Sequence, residues 1–239
     1  MHIPDGYLGP ITWITMWVVM VPFWVIASRK LKKDLNTKQV PLLAIGAAFS
    51  FVIMMFNFPI PGGTTGHAVG GTLIAIVLGP WAAVVAETVA LVIQALFFGD
   101  GGITCIATNC FNMGVVLPFV GYYIYKVITR NAYAKSKLQW IGAGIGSYVG
   151  INVAAICAGI ELGLQTIIYP AVNGQYPYFM YGLSISIPAM ALGHLMVYGV
   201  VEAVVTMGVV IYFQRTDPAL LRVQVKTTDT TVIPAEASA

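Results

Sequence analysis

The chain has 239 residues, of which 58% are hydrophobic and only 9% charged, and its mean hydropathy is +0.83. A soluble domain of this length does not carry so apolar a composition, so the sequence excludes a soluble globular protein and describes a multi-span membrane protein. Its basic residues fall into three clusters only: Arg29, Lys30, Lys32, Lys33 and Lys38; Lys126, Arg130, Lys135 and Lys137; Arg215, Arg222 and Lys226. By the positive-inside rule all three face the cytoplasm, a statement about topology that implies no nucleic acid partner.

The opening segment, MHIPDGYLGP, contains no Lys or Arg, and the first apolar run, residues 11–28, is followed by positive charge instead of preceded by it. That order is the reverse of a signal peptide, so the expectation is an uncleaved N-terminus outside the cell. Residues 40–58 return to the outside and end in FNFPIPGGTTGH, whose prolines and glycines stop a helix. Residues 67–98 would make one helix about 48 Å long, far more than a bilayer needs. Gly79-Pro80 interrupts this run near its middle, which predicts two helices joined by a tight turn. Residues 103–128 then descend, 138–163 climb back and 184–213 descend again. The expected fold is an all-α integral membrane protein of about seven transmembrane helices, N-terminus outside and C-terminus cytoplasmic. It has a single transmembrane domain over residues 1–213 and a polar, poorly ordered cytoplasmic tail over 214–239.

Gly142, Gly146, Gly150, Ala154 and Ala158 recur every fourth residue, a small-residue stripe that lets a second helix approach closely. Cys105, Cys110 and Cys157 lack CxxC spacing and read as small buried apolar side chains.

Two external segments differ from the rest, MHIPDG and PGGTTGHAVGG, and each supplies one of the three histidines, His2 and His67. Histidine at position 2 disfavours removal of the initiator Met1. The α-amine, the Met1-His2 peptide nitrogen and the His2 imidazole then bind one ion through a five- and a six-membered ring, and His67 offers a fourth nitrogen. An all-nitrogen planar set with a deprotonated amide selects Ni(II) or Cu(II), with Co(II) close behind, and binding releases protons. Gly62, Gly63, Gly66, Gly70 and Gly71 let the His67 loop fold against the terminus. Asp5 and Asp100 are the nearest acids on this face, either orienting an imidazole, drawing in the cation, or simply solvated. Asn109 and Asn112 either reach the site from the next span or pack between helices. Glu87 and Glu202 lie in apolar runs, where an ionisable group is partnered or functional; His194, in the last run, reads as a histidine bonded to a neighbouring helix.

MHIPDGYLGP, FPIPGGTTGH with its trailing GG, and FFGDGGITCIATNCFNM resemble the hallmark segments of the CbiM/NikM family, the substrate-binding (S) subunits of energy-coupling-factor transporters for nickel and cobalt. The resemblance runs from Met1 to about Phe213. It implies a multi-pass protein of the cell membrane that captures Ni2+ or Co2+ as transported substrate, with no cofactor. The ion would be held by Met1 (amine), His2 (backbone nitrogen and imidazole) and His67. Such a subunit is not an enzyme: a membrane coupling (T) subunit and cytoplasmic ATPase subunits drive it by tilting it in the bilayer. No Walker motif occurs in the sequence. Ala44 and Ala48 resemble the pattern that contacts the coupling subunit, and ordinary helix packing explains them equally. The extra small membrane subunit of some relatives, where required, is expected as a separate chain. A different class, an ion-coupled secondary carrier relaying protons through Glu87, Glu161 or Glu202, would instead transport metal without ATPases. An intramembrane metalloenzyme finds no support, because HExxH is absent.

Overall fold

A computed structural model describes residues 1–34, 39–133 and 135–221; Lys38, Arg222 and Lys226 of the basic clusters, and the expected tail beyond residue 221, lie outside the described residues. The helices are α1 (Pro10–Asp34), α2 (Val40–Met54), α3 (Gly71–Leu78), α4 (Pro80–Ile93), α5 (Ile106–Asn109), α6 (Leu117–Thr129), α7 (Lys137–Gly163), α8 (Gln165–Ile168), α9 (Leu183–Gly193) and α10 (Gly199–Thr216). Wider π-helical turns at Gln94–Phe98, Cys110–Val116 and His194–Tyr198 extend α4, join α5 to α6 and join α9 to α10. Among the described residues, five continuous helical runs are long and apolar enough to cross a membrane: Pro10–Lys33, Pro80–Phe98, Ile106–Thr129, Lys137–Ile168 and Leu183–Thr216. The chain is a multi-pass, all-α membrane protein, with apolar side chains such as Val18, Phe97, Val127 and Met196 displayed on its outer surface.

One expected helix is absent in that form. The stretch from His67 to Leu78 is not a full span: its helix, α3, begins only at Gly71 and has eight residues, about 12 Å of rise. Before it, residues 58–70 run as irregular chain containing a two-residue antiparallel ribbon, β1 (Phe58–Pro59) paired with β2 (Thr65–Gly66). Pro59, Pro61 and the left-handed Gly62 and Gly70 (φ 76° and 86°) keep this segment out of a helix. Non-helical backbone survives inside a membrane bundle only when protein groups satisfy it. Here the Glu202 carboxylate accepts hydrogen bonds from Val69 N (2.7 Å) and Gly70 N (3.0 Å). The tight turn at Gly79-Pro80 is present, with Gly79 at φ 95°.

α4 fixes the two ends of the bundle. Near its start Lys30 Nζ lies 5.2 Å from the Trp81 ring centre, so the first basic cluster sits at that end. Just past its other end Gln94 meets His2. The small-residue stripe of α7 packs on α6: a Cβ added to Gly146 or Gly150 would lie 2.4 or 2.6 Å from the Gly121 or Leu117 carbonyl oxygen. Cys105 and Cys110 are buried and unbridged.

Candidate metal centre

The first nine residues form no helix or strand and are threaded into one end of the bundle, anchored along their backbone. Asn109 pairs with Ile3 as a strand partner would, its Oδ1 accepting from Ile3 N (2.9 Å) and its Nδ2 donating to Ile3 O (3.2 Å). Gly102 N also donates to Ile3 O (2.9 Å). Asp5 accepts from Ile103 N, Thr104 N and the Thr104 hydroxyl, pinning the turn that leads into α5. A side chain at residue 102 would strike Asp5 N at 2.3 Å, so glycine is required there. Farther along, Gly9 N donates to Gln165 Oε1 and Ile11 N to the Tyr169 hydroxyl. These anchors bury Met1 completely and leave His2 only 2% exposed.

The three residues singled out by sequence come together. The Met1 amine lies 2.8 Å from His67 Nε2 and donates to the Thr65 carbonyl at 2.5 Å. The His2 and His67 rings stand 4.6 Å apart, tilted by 32°. His2 N approaches Thr65 Oγ1 at 3.3 Å. His67 arrives on the buried irregular segment, where Gly66 makes room for the Tyr198 ring and Glu202 holds the two amides that follow.

The neighbours of each imidazole decide where its proton sits. His2 Nε2 is 3.0 Å from Gln94 Oε1, and Gln94 is oriented by donating its own amide to Phe51 O. An amide oxygen only accepts, so the proton is on Nε2 and the lone pair on Nδ1. That Nδ1 is buried and has no hydrogen-bond partner among the described residues. His67 Nδ1 is 3.0 Å from the Ala68 carbonyl, so its lone pair is on Nε2, facing the amine. Burial pulls the Met1 amine well below its ordinary value, against the opposing pull of the Asp100 charge. Burial and then the nearby N-terminus bring His2 down to about 3. Burial, the N-terminus and His2 lower His67 as well. All three shifts favour the uncharged forms with free lone pairs, which is the state a metal ion requires of nitrogen ligands.

Other residues named from sequence have different placements. Asp100 approaches the cluster, its Oδ1 3.5 Å from His2 Nδ1, whereas Asp5 is occupied at the 103–104 turn. Asn112 does not reach the site and donates to Glu161 Oε2 at 2.6 Å. Glu87 accepts from Ser50. His194 is buried and donates Nδ1–H to the Met190 carbonyl of its own helix, not a neighbouring one. Thr65 and Gln94 were not foreseen. Gln94 had a signal, as the lone polar residue in LVIQALFF; Thr65, one of two threonines in a loop, had none.

Fold and site together define a polytopic membrane protein that buries its own N-terminal amine against the His67 imidazole, with the His2 ring alongside. The chain belongs to the CbiM family: residues 2–220 match the family model, described as the cobalt uptake substrate-specific transmembrane region. It is 52% identical over 221 residues to the fused nickel transport protein NikMN of Rhodobacter capsulatus, covering 92% of this chain and 64% of that one. It is 53% identical over 222 residues to a protein of Methanocaldococcus jannaschii named for metal transport, covering 92% and 94%. A crystal structure described as a truncated transition metal transporter matches with a TM-score of 0.86 at 52% identity, over 90% of this chain and 99% of that one. The chain thus spans less than two thirds of the Rhodobacter relative and nearly all of the other two.

Proposed function

We propose that this chain is the substrate-binding subunit of an energy-coupling-factor transporter, capturing Ni2+ or Co2+ on the extracellular side for uptake driven by separate ATPase subunits. The ion is bound by the Met1 amine, the His2 peptide nitrogen, His2 Nδ1 and His67 Nε2. One observation carries this reading: the bare lone pair of His67 Nε2 faces the buried N-terminal amine at 2.8 Å, and the His2 ring beside it has its other nitrogen engaged by Gln94, which leaves Nδ1 free. Such ring orientation by outer partners is how proteins prepare histidines for metal. The set is all nitrogen, which favours nickel, cobalt or copper over magnesium or calcium. Relatives named for nickel transport and a family described for cobalt uptake support the same cargo.

The energetics follow from the topology. By the positive-inside rule the basic clusters support a cytoplasmic C-terminal end of the bundle and an external metal site. The chain hydrolyses nothing itself and depends on a membrane coupling subunit and cytoplasmic ATPases, possessing no Walker sequence. The proton-relay alternative gains no specific support, since Glu202 and Glu161 are engaged by backbone amides and by Asn112.

The test compares Ni(II) and Co(II) binding by calorimetry for the native protein and a version with one residue added before Met1. Extension removes the free amine and leaves His67 and the fold. High-affinity binding is expected to vanish; its persistence would overturn the ligand set.

A further inference from the structure

The nitrogen cluster is sealed, with Met1 and His67 wholly buried. Asp100 is its connection to the exterior, since its side chain is 16% exposed while its Oδ1 lies 3.5 Å from His2 Nδ1. His2 Nδ1 carries no proton, because the His2 proton is on Nε2, bonded to Gln94. A bare nitrogen and a carboxylate oxygen that face each other at this separation are a pair of donors with room for a cation to bridge them.

The loop is built to hold the carboxylate there. Gly99 and Gly101 adopt left-handed φ of 66° and 87° on either side of Asp100, whose Oδ1 lies beside His2 Nδ1. A Cβ at residue 101 would press against the His2 ring at 3.3 Å. Asn57 donates to the other carboxylate oxygen at 2.9 Å, tying the loop to the segment that follows α2. Charge accounting then gives the carboxylate its purpose. A divalent ion that displaces one proton from the His2 peptide nitrogen leaves the buried site at +1, and an unbalanced buried charge is costly. One carboxylate brings the sum to zero. Asp5 is the other acid at this end named by sequence, and it is committed to Ile103 and Thr104.

We propose that Asp100 is the first group an incoming divalent cation meets and the counter-charge that neutralises the loaded site, an inference that rests on the Met1–His2–His67 reading above. The carboxylate attracts the hydrated ion at the surface, passes it to His2 Nδ1, and remains beside the complex as its anion.

The experiment follows Ni(II) binding to the full chain in detergent by stopped-flow absorbance of the metal d–d band, with affinity from titration. Asp100→Asn keeps the shape and removes the charge. The band position is expected to stay that of the native protein, while affinity falls about tenfold or more and association slows and loses its dependence on ionic strength. Asp100→Glu restores most of the rate. Asn57→Ala, which loosens the loop and keeps the charge, stays within about threefold of native because only a neutral hydrogen-bond donor is lost. Native rate and affinity in Asp100→Asn would overturn the proposal, as would an Asn57→Ala defect equal to that of Asp100→Asn, which would mean that loop position and not charge matters. A d–d band that survives N-terminal extension would instead overturn the ligand set, and this proposal with it.

Discussion

The Met1 amine and His67 Nε2, 66 positions apart in sequence, stand 2.8 Å from each other in the centre of a buried cluster. Burial lowers both groups from their ordinary values, which favours the free lone pairs that a metal ion takes up. The one proton to be displaced is that of the His2 peptide nitrogen. Calorimetry in buffers of different ionisation enthalpy is expected to count about one proton released per ion. Affinity is expected to rise about tenfold per pH unit between pH 5 and 8. Ordinary ionisation, with an amine near 8 and imidazoles near 6.5, would steepen that slope below neutrality and raise the count above one.

Gly150 tests the close approach of α6 and α7. An added methyl would lie 2.6 Å from the Leu117 carbonyl oxygen and 3.2 Å from Gly121 N, both backbone atoms that cannot swing aside. Gly150→Ala is therefore expected to cost about 1–3 kcal/mol by overpacking and Gly150→Leu to prevent stable folding. The expected readouts are a lowered midpoint of thermal unfolding in detergent for the first and loss of monodisperse protein for the second. Gly208, where a Cβ would meet nothing within 4 Å, is the control and tolerates alanine.

Much of this was legible in the sequence because membrane solvation leaves few options. Apolar length, the three basic clusters and the Gly79-Pro80 break mark the start of α1, though not its last six residues, and α4, α7 and the last long run within a few residues, and Met1, His2 and His67 stand out as a set. The half-span before α3 was not legible. An apolar run containing His67, Val69 and Ile74 has the hydropathy of a helix, and what satisfies the irregular backbone of its first part is a carboxylate more than a hundred positions later. Glu202 could be recognised as unusual from its apolar setting, but its partners are backbone amides, which leave no mark in a sequence. Gln94 escaped for a related reason: hydropathy averages over one polar residue in LVIQALFF, although that residue fixes the tautomer of a ligand.

Glu202 makes the irregular segment affordable in an apolar bundle, so its removal is expected to disturb His67 from a distance. Glu202→Gln replaces charge-assisted bonds to Val69 N and Gly70 N with neutral bonds to a single amide oxygen and turns an NH2 group toward Gly70 N, where the second carboxylate oxygen lay at 3.1 Å. The expected loss is about 2–4 kcal/mol of stability, given about 1.5–3 kcal/mol for a bond to a charged group. Metal affinity falls together with stability. A Glu202→Gln protein of native stability and native affinity would mean that the loop keeps its path by packing alone.

Gln94 bears on the metal through His2. Its Oε1 accepts the Nε2 proton at 3.0 Å, which leaves Nδ1 bare. Gln94→Leu preserves the apolar fill of the α4 end and removes the acceptor, so the ring loses its fixed orientation and its buried N–H is left unpaired. Affinity for Ni(II) is expected to fall about 10–100-fold, the usual effect of removing an outer partner of a metal-bound histidine. Gln94→Glu supplies an acceptor in the same place and is expected to bind within about tenfold of native, since the orienting bond is retained. If Gln94→Leu bound as tightly as native protein, the tautomer of His2 would be set by the metal and not by α4, and the preorganisation described for this cluster would be wrong.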